Sequence, residues 1–441
     1  MKVNKIIPKI YIFSLVYFLF IDYKYFTTFA LIILFVNFIS KKNLIITNFE
    51  KIILLISPFI FYIQKIIIGL FYESTMWERT FFNLKYSFGD AKITLSQLIC
   101  QNGLSKLVED SFQSMTEECS FGSVRYGPLF HLLKINIDYE VSTFIVSVFL
   151  YSFFLFFLYE FMKKKHISEL EFNIISLSSV VNLLLSQLNL DLLLFLIVFI
   201  CIRFLKKYIK LNLFVFFILA LLKQHPIGIF FGLLFTEKKP SNIFLIFVYL
   251  SLFFGINSYF LFIDFNYLSG QQRPSDPYSS SGLLTISQFI WTQFLDSGIG
   301  FRVVVIILIF FVLFIFTIIF KNNVNMYDSK LVDINSSEKY FSAILSWFLF
   351  ISIYANYDYR NVVLILLLFC YNFKFKDKYL LMALLLLSPI PLTNITLLSY
   401  ILISLKFSIY IYIVFLTLSI LLEVESRYFY FIKKLFKKIN Q

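Results

Sequence analysis

The residues that could do chemistry fall in a handful of short stretches of a chain that is otherwise apolar. Asp90 stands in Phe88-Gly89-Asp90-Ala91, and Tyr126-Gly127-Pro128-Leu129-Phe130-His131 follows later in the same polar segment. Asn189 and Asp191 open one apolar run, Lys223-Gln224-His225-Pro226 breaks another, and Asn356 to Arg360 precedes a third. An ionisable group at membrane depth costs at least about 2.5–3.5 kcal/mol at a helix centre, so it calls for a partner or a task. Asp90 can take a proton from a sugar or lipid hydroxyl as a general base; it equally fits a helix N-cap before Ala91-Lys92-Ile93. Asn189 and Asp191 read as an N-cap or as a polar wall for a hydroxylated ligand. Pro226 ends a helix by itself, whereas a cation and an imidazole at Lys223 and His225 suit a phosphate. Arg360 can clamp a phosphate bidentately, or pair with Asp358 among tyrosines of an aromatic belt. The three histidines, His131, His166 and His225, are too scattered for a zinc site. No cofactor is expected, and a divalent metal is not indicated.

These residues must be positioned by helices. The chain of 441 residues is 59% hydrophobic and only 15% charged, where a soluble domain carries about a quarter charged. Its repeated apolar runs have the length a bilayer demands, and a transmembrane β-barrel would alternate instead. The expected fold is an all-α, polytopic bundle of about 12–14 transmembrane spans. Candidate spans are 6–22, 25–40 and 49–71, then 141–162, 170–186, 188–205, 211–223, 226–237, 241–263, 301–320, 339–355, 361–374, 379–398 and 400–422. The first run carries no small-residue cleavage signal and reads as retained. Lys406 interrupts the last run and marks a candidate boundary. Residues 1–441 form a single membrane domain. Its parts include a large loop at 73–140 after the third span, a second at 264–300, and a basic, aromatic tail at 423–441.

A net charge of +13 invites a nucleic-acid reading. The cations, however, sit in short clusters between apolar runs: Lys2 to Lys9, Lys41-Lys42, Lys163 to Lys165, Arg203 to Lys210, Lys238-Lys239, Lys321, and Lys374 to Lys378. One topology puts every cluster in the cytoplasm together with the N-terminus, as the positive-inside rule requires. A multi-pass protein of the inner (plasma) membrane is expected, with no nucleic-acid partner. The 73–140 loop, Asn189, Lys223 to Pro226, the 264–300 segment and Asn356 to Arg360 then all lie outside. If the first loop is extracytoplasmic, Cys100 and Cys119 can form a disulfide; the alternative is two thiols.

The ordered set resembles a known class. It runs from an acidic residue in the first large outer loop, through Tyr126-Gly127-Pro128-Leu129-Phe130 and Asn189-Leu190-Asp191, to Lys223-Gln224-His225-Pro226 and Tyr359-Arg360. It is similar to the GT-C class of integral membrane glycosyltransferases, most of all the family-87-type polyprenyl-phosphate-sugar-dependent mannosyltransferases. The pattern covers residues 90 to 360. Gly127 stands where a first Pro is usual, His225 where an aromatic is usual, and the hairpin 6–40 precedes the usual first span. The resemblance implies Asp90 as catalytic base, with Tyr126, Asn189, Asp191, Lys223, His225, Tyr359 and Arg360 around the substrate. It implies inverting transfer of a sugar from a polyprenyl-phosphate donor to a glycan or lipid acceptor at the outer face of the cell envelope. The rival class is a transporter or flippase of lipid-linked saccharides.

Overall fold

Long apolar runs leave the backbone one way to satisfy its own polar groups in hydrocarbon, the helix, and helices are what this chain forms. The structure is a computed structural model that describes residues 8–15, 23–40, 46–71, 128–129, 139–263, 280–281, 285–286, 337–353, 356–373, 375–388 and 401–421. In chain order the helices are α1 (8–15), α2 (Tyr23–Ser40), α3 (Asn48–Phe71), α4 (Tyr139–Met162), α5 (Glu169–Ser176), α6 (Ser179–Gln187) and α7 (Leu190–Arg203). Then come α8 (Ile209–Leu222), α9 (Gly228–Thr236), α10 (Pro240–Ile263), α11 (Ser337–Ile353), α12 (Val363–Cys370), α13 (Phe375–Leu387) and α14 (Ile401–Leu421). Two 3-10 turns, His225–Ile227 and Asp358–Val362, lead into α9 and α12. The described extended pairing is one short antiparallel ladder, β1 (Ser280–Ser281) against β2 (Asn356–Tyr357), with Ser280 opposite Tyr357.

The expected helical fold class is therefore what the described residues adopt. Three helices are long and apolar enough to cross a membrane: Phe144–Met162, Pro240–Tyr259 and Ile401–Leu421. A fourth candidate is the pair Ser179–Leu185 and Leu190–Arg203, bent by 110°. The expected 12–14 spans include several that are shorter helices among the described residues, such as Ile209–Leu222 and Arg360–Cys370. Two further expectations are corrected. The run 170–186 is two helices, because Ser178 is extended (φ −64°, ψ 157°) and starts α6 anew. Lys406 marks no boundary: it is buried within the unbroken helix α14.

Many surface positions are apolar. In α3, Ile52, Ile56, Ile60, Ile63 and Ile67 recur at helical spacing and are all exposed, while Leu54, Phe61, Tyr62 and Lys65 are buried. The Lys65 ammonium stands 4.9 Å from the centre of the Phe61 ring. Exposed Phe144, Ile145 and Phe149 on α4, and Phe244, Phe247 and Phe254 on α10, extend this apolar surface. Large apolar side chains exposed along three helices suit hydrocarbon contact.

Polar contacts gather the basic turns at one end of the helices. Glu160, at the end of α4, takes hydrogen bonds from Lys163 Nζ (2.9 Å) and Arg203 Nε (2.8 Å), which ties α4 to the end of α7. Glu171 closes a capping box with Ser168 at the start of α5 and also accepts from Lys378 Nζ at 2.8 Å. His166 Nε2 meets the Leu368 carbonyl at 2.8 Å, near the end of α12. Lys51 at the start of α3 reaches Glu169 at 3.4 Å. The starts of α7 and α12 and the end of α8 therefore point the other way. Helices α7 and α8 have 14 residues each, about 21 Å of helix against about 30 Å of hydrocarbon.

Candidate functional site

At that second end, three of the expected stretches contribute to one cluster around Asp191. Leu188 takes a left-handed conformation (φ 47°), which turns the chain out of α6, and Asn189 then caps α7. The Asn189 carboxamide oxygen accepts from the Asp191 backbone N–H at 2.9 Å. The N-cap reading of Asn189 is thus correct, and the same oxygen also receives Lys223 Nζ at 3.2 Å. Asp191 lies in the first turn of α7, where the unpaired N–H groups of a helix start favour a carboxylate.

Lys223 follows α8 in extended conformation, so its side chain leaves the helix axis and reaches Asp191 Oδ2 at 2.7 Å. Arg360, in the 3-10 turn ahead of α12, places Nε at 3.4 Å from that same oxygen. Two cationic heads from distant parts of the chain therefore meet at one carboxylate oxygen. Asn189, Asp191 and Lys223 are all buried, with Asp191 only 3% exposed. A buried carboxylate without such partners would carry a desolvation penalty of several kcal/mol. Tyr359 lies in the same 3-10 turn as Arg360. The β1–β2 ladder fastens part of the 264–300 segment to the residues immediately before that turn.

His225 joins the same cluster. Its Nε2 lies 2.7 Å from Asp191 Oδ1, and its Nδ1 receives the indole N–H of Trp347 at 2.9 Å. The rings lie nearly parallel, 15° apart, with centroids at 5.9 Å. Both nitrogens are thus engaged by protein groups.

Trp347 was not marked by sequence reasoning, nor was the packing that delivers it. Helix α9 carries Gly228 and Gly232 four residues apart, and both face α11. A Cβ on Gly228 would lie 2.7 Å from the Phe350 Cβ and 3.0 Å from the Trp347 Cα; on Gly232 it would lie 2.2 Å from the Ser342 carbonyl oxygen. The small residues Ser342, Ala343 and Ser346 complete the close approach. Small residues four apart are the usual device by which helices meet closely in membranes, and the run Gly228-Ile-Phe-Phe-Gly232 was the available signal. Since the 3-10 turn with His225 leads directly into α9, the α9–α11 contact sets Trp347 beside the imidazole.

Asp90, Tyr126, Cys100 and Cys119 lie outside the described residues, as does most of the 73–140 loop. Among the described residues, no group of three or more His, Cys, Asp or Glu side chains is arranged to hold a metal ion. The chain matches no protein-family model, and no curated protein or solved structure is significantly similar to it.

Proposed function

We propose that this chain is a membrane glycosyltransferase of GT-C type, moving a sugar from a polyprenyl-phosphate donor to a hydroxyl of a glycan or lipid acceptor. The observation that carries the reading is the meeting of Lys223 and Arg360 at Asp191, from segments far apart in sequence. Two adjacent cationic heads match the anionic oxygens of a phosphate leaving group, and stabilising charge that develops on it is a large term in a dry site. In this mechanism the acceptor oxygen forms a bond to the anomeric carbon as the bond from that carbon to the phosphate oxygen breaks. The acceptor proton passes to Asp90, and the lipid phosphate leaves against Lys223 and Arg360. Asp191 has both oxygens engaged by cations and an imidazole N–H, so it anchors the cations and is not the base. Depth supports a lipid-borne substrate. The helices that carry the cluster are about 21 Å long and have the basic turns at their far ends, so a charged group reaching it gains from an apolar tail.

A specific observation favours the rival reading, a transporter or flippase. The cluster lies at the break between α6 and α7, bent by 110°, and broken helices often mark the substrate site of a transporter. Purified protein in vesicles, given a polyprenyl-phosphate sugar and an acceptor, separates the two. A new glycosidic bond is the expected result; passage of the intact lipid-linked sugar between leaflets without any new bond would remove the enzyme reading.

A further inference from the structure

The hydrogen bond that fixes His225 comes from a residue outside every stretch expected to do chemistry. An indole nitrogen can only donate, so Trp347 Nε1, 2.9 Å from His225 Nδ1, requires that nitrogen to be an acceptor without a hydrogen. The ring hydrogen is then on Nε2, where Asp191 Oδ1 receives it at 2.7 Å. The opposite tautomer would set two N–H groups against each other at Trp347 and leave Nε2 facing a carboxylate with nothing to give. An imidazolium would suffer the same clash at Nδ1. The donors therefore run one way, from Trp347 to His225 to Asp191.

Trp347 is itself held from several sides. It is buried at 1% exposure, and its Cα lies against Gly228, where even a methyl group would collide. The α9–α11 contact thus fixes the backbone from which the indole reaches the imidazole.

We propose that Trp347 is a positioning residue of the polar site. Its indole N–H locks His225 in the neutral, Nε2–H form. The locked imidazole keeps Asp191 Oδ1 occupied and turns Oδ2 toward Lys223 and Arg360. The consequence for transfer rests on the glycosyltransferase reading: the carboxylate rotamer sets where the two cations stand when a phosphate arrives. Without the lock, the imidazole is able to take a second proton at Nδ1. Asp191 then loses a fixed donor, and the cation pair loses its fixed anchor. A neutral ring also adds no third cation beside Lys223 and Arg360.

The test uses the full chain in detergent with ¹⁵N-labelled histidine and tryptophan. There are only three His and three Trp, so the signals are few. The expected result is a nitrogen–nitrogen coupling through the hydrogen bond, from an indole Nε1 to an unprotonated imidazole nitrogen. It needs no variant to be seen. In Trp347→Phe, which keeps an aromatic ring but not the donor, the coupling disappears and Nδ1, no longer facing an N–H, takes a second proton at higher pH than in the parent. Sugar transfer by that variant should fall about 10–100-fold, the usual effect of losing a group that orients a site residue. A purely structural Trp347 would leave the protonation of His225 unchanged. The proposal is overturned if the parent protein shows no such coupling, if His225 carries its hydrogen on Nδ1, or if Trp347→Phe leaves the protonation of His225 as it was. A parent protein with the coupling but no sugar transfer keeps the lock and removes the transfer reading.

Discussion

Asp191 shows what a single buried charge demands. Its two oxygens are met by His225, Lys223 and Arg360, drawn from two segments far apart in sequence. Removing that charge leaves two cations facing a neutral group in a buried place, which commonly costs 3–5 kcal/mol in comparable pairs. Asp191→Asn is therefore expected to unfold well below the parent temperature in a thermal melt, although Asn still fits a first helical turn. A melt equal to the parent would mean that the pairs contribute nothing to the fold. Asp90 is the opposite case, assigned by resemblance to proton transfer. Asp90→Asn keeps the capacity to cap a helix, so the expected outcome is normal stability with transfer reduced about 10²–10⁴-fold; an active variant would return Asp90 to capping alone. At this scale the sequence was informative where charge interrupts hydrocarbon. Asn189, Asp191, Lys223, His225 and Arg360 all stood out for that reason, and all five meet in the structure. Trp347 did not, because one more aromatic among 60 Phe and 28 Tyr carries no mark of its own.

The elements deliver these residues by close packing. Gly232 faces the Ser342 backbone at a distance that leaves no space for a side chain. Gly232→Ala should force α9 and α11 apart and destabilise the protein by about 1–3 kcal/mol. Gly255, in α10, has open space where its Cβ would stand. There the same change should be neutral or stabilising, because Ala loses less backbone freedom than Gly in a helix. Thermal melts of the two variants side by side check the contrast; equal behaviour would deny the α9–α11 approach. The turn between α4 and α5 makes a pH prediction. His166 is half-buried, and burial pushes its imidazole below its ordinary value, partly opposed by its bond to the Leu368 carbonyl. The unfolded chain then takes up the proton first, so stability is fully present above about pH 6.5 and falls as pH drops below it. Melting temperature should decline with acidification in that window, and His166→Gln should flatten the decline; an unchanged slope would exclude His166 as its source. Helix existence was legible from apolar runs, and so were most boundaries. The break at Ser178 was not, since neither Gly nor Pro marks it and Ser is tolerated inside a helix.

Among the described residues, one set of ends carries the Glu160–Lys163–Arg203 and Glu171–Lys378 ion pairs, and the other carries the Asp191 cluster. The alternation of basic turns made that two-ended order readable in the sequence. The shortness of α7 and α8 was not readable, because apolar composition runs on past their ends. The role proposed for this cluster is to receive a phosphate during sugar transfer. Arg360→Lys tests it most directly. The substitution keeps a cation near Asp191 Oδ2, and with it the fold, but removes the planar fork that binds phosphate bidentately. The measurement is the rate of sugar transfer from a polyprenyl-phosphate donor by purified parent and variant in vesicles, with thermal stability recorded for both. The expected result is an unchanged melt and a rate lowered about 10–100-fold, the loss of one charge-assisted hydrogen bond of about 1.5–3 kcal/mol. A variant that transfers sugar as fast as the parent would contradict the claim.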